Sequence, residues 1–314
     1  MMYDLIIVGG GVSGLSAAMY GTRLGLKTLT FAEMPGGLIT STHLVENWPG
    51  IKSISGPDLA MSLYNHAVFS GAEIKTDKVV SVGKSGEDAQ GTCPVFTVKT
   101  AGGEYLCKSL LFSTGTHHKN LGVKGEKEFE NKGVSYCALC DGAFYKGKVI
   151  AIVGGGDAAA KEALFLTEHA SKVYIVVRKD VLRAEPINAK AIEQNPKIEV
   201  LYNTEIEEIL GGEKVEKVKF KAGGGKYSGK EIELSGIFLA IGHTAQTDLA
   251  KGLGVELNER GEIKINRKSE TNLKGVFAAG DCTDTEFKQA ITGSAEAVTA
   301  AYYSYRVCKS DASF

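Results

Sequence analysis

Cys137 and Cys140, followed directly by Asp141, are the residues best suited to redox chemistry. Two intervening residues bring the sulfurs close enough for a disulfide when the segment turns into a helix. The dipole and the free N–H groups of a helix N-terminus favour the thiolate, which is the nucleophile in disulfide exchange. Asp141, next to the second sulfur, is a candidate proton donor to a leaving thiolate. We therefore predict a redox-active pair with an acid beside it.

Two other interpretations of this pair stay open: half of a zinc site, or an inert reduced pair. Zinc needs four ligands, and the sequence has no second Cys-x-x-Cys and no His-x-x-x-His. His117 and His118 are partners by residue type only, so we expect no metal. The remaining cysteines are isolated, and we expect them to be small buried hydrophobic residues. They are Cys93, Cys107, Cys282 and Cys308.

The glycines near the N-terminus predict a dinucleotide-binding turn, because they follow an apolar run and precede a helical stretch. Gly9 permits the tight turn, Gly11 the close approach of a pyrophosphate, and Gly14 the packing of helix on strand. A second apolar run over residues 27–31 ends close to Glu33. A carboxylate at this place suits the hydroxyls of a ribose.

The same pattern returns later in the chain, with Gly154 at the place of Gly9. Gly156 and Ala159 occupy the next two positions of the pattern, and Arg178 stands where Glu33 stood. An arginine suits a 2′-phosphate, and two further basic residues follow it, Lys179 and Arg183. We therefore predict FAD in the first unit and NADPH in the second. The alternative is that the three basic residues are ordinary solvated surface charges.

The C-terminal part of the chain bears on the order of the domains. An apolar strand over residues 275–279 ends at Gly280-Asp281, and an apolar helix follows residues 288–290. Such a strand end can complete a flavin site, with Asp281 bonding the ribitol hydroxyls.

The first domain is then discontinuous. We expect it to span residues 1–115 and 246–314, and to bind FAD. A second domain of residues 116–245 carries the cysteine pair and binds NADPH, and two short crossings join the domains as a hinge. The predicted fold class is α/β, with two Rossmann-like three-layer domains that each carry a small antiparallel β insertion.

Composition narrows the function further. The chain has 314 residues, with 36 Lys and Arg against 37 Asp and Glu. A net charge of −1 argues against a nucleic-acid-binding protein. No apolar run reaches the roughly 18 residues of a membrane span, and the N-terminus has no basic leader. We therefore expect a cytoplasmic protein without a membrane or nucleic-acid partner.

The combination of these motifs resembles the low-molecular-weight thioredoxin reductases, over almost the whole chain. The resemblance rests on the two glycine turns, Cys-x-x-Cys-Asp before the second turn, Val45–Gly50 (Val-Glu-Asn-Trp-Pro-Gly) and Ala278–Asp281 (Ala-Ala-Gly-Asp). It implies a flavoprotein that passes a hydride from NADPH to FAD, and then electrons to the cysteine disulfide. The partner implied is thioredoxin, and the assembly implied is a homodimer.

The resemblance also assigns roles to residues. Cys140 would face the flavin, Cys137 would exchange with the thioredoxin disulfide, and Asp141 would donate a proton. FAD would be held by Gly9, Gly11, Gly14, Glu33, Gly36, Gly37, Leu38, Asn47, Thr114, Gly115, Gly280, Asp281, Gln289 and Ala290. NADPH would be held by Gly154, Gly156, Ala159, Arg178, Lys179 and Arg183. Members of the family alternate between two poses of the pyridine nucleotide domain, which fits a domain inserted through two crossings.

The sequence departs from the family pattern at the predicted NADPH site. Lys179 stands where a second arginine is usual, Lys161 where an acid is common, and Ala245 where a proline is usual. These changes leave open a relative that takes electrons from ferredoxin or a deazaflavin. A dithiol oxidase and a nucleotide-bound sensor with zinc-binding cysteines are further alternatives.

Overall fold

The computed structural model describes residues 2–42, 45–87, 91 and 93–309, without the side chains of Leu139 and Cys140. These residues form two compact units. The first contains the chain up to His117 and again from Thr244, and the second spans His118–His243. Within the described residues, no helix combines the length and the apolar character needed to span a membrane.

The first part of the first unit alternates strands and helices. Its helices are α1 (Val12–Arg23) and α2 (Gly56–Phe69), with a 3-10 turn at Gly37–Ser41. Its strands are β1 (Met2–Val8), β2 (Thr28–Phe31), β3 (Glu73–Lys75), β4 (Val79–Glu87), β5 (Pro94–Thr100), β6 (Gly103–Phe112) and, at the crossing, β7 (Thr116–His118).

The second unit repeats this alternation. Its helices are α3 (Ala138–Asp141), α4 (Asp157–Leu166) and α5 (Pro186–Gln194). Its strands are β8 (Val134–Ser135), β9 (Val149–Val153), β10 (Lys172–Val176), β11 (Ile198–Leu201), β12 (Ile206–Gly211), β13 (Val215–Phe220), β14 (Glu231–Glu233) and β15 (Gly236–Leu239). The chain then returns to the first unit through β16 (His243–Ala245), α6 (Asp248–Leu253), β17 (Val276–Ala278) and α7 (Ala290–Cys308).

Each unit is built on a parallel sheet. In the first unit the parallel strands have the order β3-β2-β1-β6-β17, with β3 at the edge. In the second unit the order is β11-β10-β9-β15-β8, again all parallel. Parallel strands are covered on both faces and read as continuous apolar runs, which explains why Leu5–Val8 are almost fully buried.

Both units also carry antiparallel strands. In the second unit, β12, β13 and β14 form a separate sheet. In the first unit, β4 and β5 continue the main sheet, because the long strand β6 pairs with β5 near its start and with β1 along most of its length. The α/β fold with two Rossmann-like units is therefore confirmed.

The core of the first unit lies on both faces of its sheet. One cluster joins Leu5 and Ile7 of β1 to Ala17 of α1 and Ala297 of α7. The other cluster joins the remaining buried residues of β1 to the antiparallel strands and to α6. Burial of this apolar surface fixes the strand ends, and the candidate site residues are at those ends.

Candidate active site

The first glycine turn connects β1 to α1 and leaves room for a ligand. Gly9 has a φ of +110°, and a Cβ there would meet the carbonyl oxygen of Ser113. A Cβ on Gly14 would meet the carbonyl oxygen of Gly9. At Gly11 the nearest atom would be 3.8 Å away, so this side of the turn is open. The open side lies at the start of a helix, where N–H groups favour a phosphate.

Gly36, Gly37 and Leu38 lie beside this turn. The amide of Gly36 donates to the carbonyl of Gly10 at 2.8 Å. A Cβ on Gly36 would meet the side chain of Ala60, which explains glycine at a φ of +94°. Glu33 follows β2, and its exposed carboxylate pairs with Lys78 at 3.2 Å. An exposed ion pair of this kind contributes little to the stability of the fold. The Glu33 carboxylate can therefore leave Lys78 and bind a ligand.

Thr114 and Gly115 follow the end of β6, next to the glycine turn in the sheet. Thr114 donates to the carbonyl of Gln246 at 2.5 Å, and the Gln246 amide returns a bond to the Thr114 carbonyl at 3.1 Å. A Cβ on Gly115 would meet nothing within 4 Å, so the chain is open there as well.

Gly280 and Asp281 follow β17, at the same carboxyl edge of the sheet. Gly280 has a φ of +81°. Lys288 donates to the carbonyls of Asp281 at 2.9 Å and Thr283 at 2.6 Å, and it pairs with the buried Glu262 at 3.1 Å. Burial raises the pKa of Asp281, and the nearby Lys288 charge opposes that shift.

The remaining residues predicted to bind FAD also come together. The side-chain amide of Asn47 donates to the Gln289 oxygen at 2.9 Å, across 242 positions of the chain. Gln289 precedes α7, which begins at Ala290. All of the residues predicted to bind FAD therefore lie in the first unit.

The second glycine turn connects β9 to α4. A Cβ on Gly154 would meet the carbonyl oxygen of Ala240 and, at 2.7 Å, the Cβ of Ala159, whereas a Cβ on Gly156 would meet nothing within 4 Å. The amide of Arg183 donates to the carbonyl of Gly155 at 2.8 Å. The basic segment therefore lies directly against the open turn.

The three basic side chains face solvent. Arg178 and Lys179 lie two and three residues after the end of β10 and are exposed, and Arg183 is exposed as well. Asp157, the first residue of α4, anchors this region, although no motif in the sequence indicates such a role. Its carboxylate accepts from the amide of Glu185 and from Asn188, each at 2.8 Å.

Lys161 contributes to the same anchor, one helical turn after Asp157. Its ammonium lies 2.8 Å from the Asp157 carboxylate. Burial would raise the pKa of Asp157, but the hydrogen bonds from Lys161, the Glu185 amide and Asn188 lower it. A lysine at this position is therefore explained by its local partner.

Cys137 lies between β8 and α3, and its sulfur is in a disulfide. The hydroxyl of Ser135 accepts from the Cys137 amide at 3.1 Å and donates to the Cys137 carbonyl at 3.3 Å. The predicted partner, Cys140, has a side chain outside the described part of the chain. Asp141 is partly buried and is the last residue of α3.

The isolated cysteines are buried, as predicted. Burial raises the pKa of the Cys107 thiol far above its ordinary value, and raises that of Cys308 to about 12. Neutral buried thiols are poor nucleophiles, which separates them from Cys137. Among the described residues, no group of three or more His, Cys, Asp or Glu is arranged to hold a metal ion.

Comparisons with known proteins cover nearly the whole chain. The pyridine nucleotide-disulphide oxidoreductase family matches residues 3–297. A thioredoxin reductase of Bacillus subtilis is 39% identical over 96% of this chain and 93% of its own length. One from Spironucleus barkhanus is 40% identical over 95% of this chain and 96% of its own. The crystal structure of Lactococcus lactis thioredoxin reductase superposes with a TM-score of 0.90, at 34% identity, over 98% of this chain and 99% of that one.

Proposed function

We propose that this chain reduces thioredoxin with electrons from NADPH. The chain belongs to the pyridine nucleotide-disulphide oxidoreductases, and within them to the low-molecular-weight thioredoxin reductases. The observation that carries the proposal is the disulfide at Cys137, in the same unit as an open glycine turn with three exposed basic residues. The family uses FAD and NADPH.

The residues of the first unit fit FAD. The open face at Gly11 and the start of α1 suit the pyrophosphate, Glu33 suits the ribose, and Asp281 suits the ribitol hydroxyls. Segments at Gly36–Leu38, Asn47, Thr114–Gly115 and Gln289–Ala290 would complete the site. Bound FAD supplies a carrier that accepts a hydride and passes two electrons to a disulfide.

The residues of the second unit fit NADPH. The start of α4, with the open Gly156, suits the pyrophosphate, while Ala159 packs the helix on its strand. The positive charge for a 2′-phosphate would come from Arg178, Lys179 and Arg183. The guanidinium groups of the two arginines are planar and can form paired hydrogen bonds, whereas the ammonium of the lysine is a point charge.

The cysteine pair would transfer the electrons to the protein substrate. In the dithiol form, the Cys137 thiolate attacks one sulfur of the thioredoxin disulfide, and the second thioredoxin sulfur leaves as a thiolate. The Cys140 thiolate then attacks the mixed disulfide at Cys137. The thioredoxin sulfur that was bonded to Cys137 leaves as a thiolate, and the Cys137–Cys140 disulfide is restored. Asp141 would donate a proton to a leaving thiolate.

Domain roles and assembly follow from the same proposal. Residues 1–115 and 246–314 would bind FAD and residues 116–245 NADPH, with boundaries two residues from the points where the compact units divide. We further propose a homodimer, which light scattering after size exclusion can test. A cytoplasmic location suits the four buried cysteine thiols, because thiols stay reduced there.

An anaerobic titration tests the electron donor. The purified flavoprotein receives stoichiometric NADPH, or NADH in a parallel sample, while the flavin absorbance is followed. We expect rapid bleaching by NADPH and poor bleaching by NADH. Flavin that dithionite reduces but neither nucleotide bleaches would contradict NADPH as donor and point to ferredoxin or a deazaflavin.

A Cys140→Ser variant tests the exchange step. It should lose NADPH-dependent reduction of thioredoxin, because a mixed disulfide at Cys137 has no internal thiol to resolve it. Continued turnover in this variant would overturn the proposed mechanism. Peroxide formation from a small dithiol, without thioredoxin reduction, would support a dithiol oxidase instead.

A further inference from the structure

Tyr136, the residue before the exchanging cysteine, is held by a buried carboxylate. Its hydroxyl lies 3.1 Å from Oε1 of Glu126 and 3.3 Å from the Asn120 side-chain oxygen. Glu126 is only 3% exposed, and it also accepts from the amides of Leu121 at 2.7 Å and Gly122 at 2.6 Å. Burial and the Glu126 charge raise the pKa of Tyr136 to about 12, so the phenol stays a donor at neutral pH.

The segment that carries Glu126 is itself fixed. The amide of Ile209 in β12 donates to the Lys124 carbonyl at 3.0 Å, and the amide of Phe129 donates to the Gly125 carbonyl at 3.0 Å. A buried carboxylate is costly unless its oxygens accept hydrogen bonds. The Glu126 carboxylate accepts hydrogen bonds from three donors, so the group that anchors the Tyr136 hydroxyl is part of the folded core.

Cys137 is also fixed through its backbone. Ser135 lies in register with Phe238 of the neighbouring strand β15. Its hydroxyl bonds both the amide and the carbonyl of Cys137. The chain on the N-terminal side of Cys137 is therefore held by a sheet, by a hydroxyl and by the Tyr136 phenol.

We propose that Tyr136 and Glu126 are positioning residues that set the reduction potential of the Cys137 disulfide. Closing a disulfide costs conformational entropy, and the cost is smaller when one cysteine is already held in place. The Tyr136–Glu126 hydrogen bond therefore favours the disulfide over the dithiol. The proposal rests on the proposed function only in taking the Cys137 disulfide to be the redox-active one.

The test is a redox equilibration of the flavoprotein variant Tyr136→Phe in buffers of reduced and oxidised dithiothreitol. The protein disulfide breaks and its two sulfurs take up protons, while the two dithiothreitol thiols lose protons and form a cyclic disulfide. Alkylation and mass spectrometry then count the protein thiols. We expect the equilibrium to move toward the dithiol by about threefold to tenfold, equal to roughly 14 to 30 mV.

A matched control comes from the first unit. The hydroxyl of Tyr3 donates to the Glu73 carboxylate at 2.9 Å, so Tyr3→Phe removes the same kind of bond away from the cysteines. This variant should keep the wild-type potential. Glu126→Gln should shift the potential in the same direction as Tyr136→Phe, and the double variant should shift it no further than the larger single change.

An unchanged potential in both Tyr136→Phe and Glu126→Gln would overturn the proposal and leave the anchor a purely structural role. A shift toward the disulfide would overturn it as well. The measurement uses neither NADPH nor thioredoxin. Failure of the proposed function appears separately, as absent NADPH-driven thioredoxin reduction by the wild-type protein.

Discussion

The backbone amide of Gly280 donates a hydrogen bond of 2.8 Å to Oε2 of Glu296, in the second turn of α7. The Thr285 hydroxyl donates to the other oxygen of the same carboxylate. Lys288 holds the carbonyl of Asp281. The turn that presents Asp281 is therefore fixed by a carboxylate and an ammonium. A turn already in its binding conformation lowers the ordering cost of binding a ligand.

We expect Glu296→Ala to weaken FAD binding by about tenfold, since a hydrogen bond to a charged group contributes roughly 1.5 to 3 kcal/mol. Glu296→Gln keeps an acceptor oxygen for the Gly280 amide and should lose less. Fluorescence titration of the apoprotein with FAD measures both. Glu104→Ala, which breaks an exposed ion pair with Lys99, is the control and should bind FAD normally. Equal affinity in all three variants would show that the turn holds without Glu296.

The glycine turns could be located from the sequence because their backbone requires glycine. At Gly9 and Gly14 a side chain would overlap backbone oxygens, so the spacing is visible in one chain. Glu126 and Glu296 were missed for a physical reason. Their carboxylates accept backbone amides brought together by the tertiary fold, and such contacts leave no local spacing. The Lys161–Asp157 ion pair, by contrast, joins residues only one helical turn apart, so it is a local contact.

Removal of the basic cluster should weaken the use of NADPH but not the use of NADH. In Arg178→Ala/Arg183→Ala, the KM for NADPH should rise by about tenfold or more, because the two charge-assisted contacts proposed for the 2′-phosphate would be lost. The KM for NADH, which has no 2′-phosphate, should change little. Steady-state reduction of thioredoxin with each nucleotide measures the split. Lys190→Ala, at an exposed position of α5, controls for net charge, and an equal rise for both nucleotides would argue against a 2′-phosphate site.

An exposed aromatic residue follows the cysteine pair closely in the sequence and is suited to docking the protein substrate. Phe144 is 80% exposed, three residues after Asp141. Aromatic residues, phenylalanine among them, are enriched in protein–protein interfaces relative to the rest of the surface. Phe144→Ala should raise the KM for thioredoxin about threefold to tenfold, while flavin bleaching by NADPH stays unchanged. Phe69→Ala removes a ring that is 89% exposed in the other unit, and it should leave both measurements at wild-type values.

Burial of Glu162 in α4 gives the stability of the protein a pH dependence. Burial raises the pKa of Glu162 from its ordinary 4.5 to about 7, so the folded state disfavours the ionised carboxylate. The unfolded chain ionises near pH 4.5, and the folded protein near pH 7. The resulting destabilisation is therefore absent below about pH 4.5, grows as the pH rises, and is complete above about pH 7.

Glu162→Gln removes this ionisation and should raise the melting temperature at pH 8 but not at pH 4.5. The full shift corresponds to roughly 3 kcal/mol, and the partial exposure of the side chain reduces it to about 1–2 kcal/mol. That is a rise of about 2 to 8 °C. Differential scanning fluorimetry at both pH values measures it, with Glu168→Gln at an exposed position just beyond the same helix as the control. A rise of equal size at pH 4.5 and pH 8 would mean that the glutamine stabilises α4 for a reason other than the lost charge.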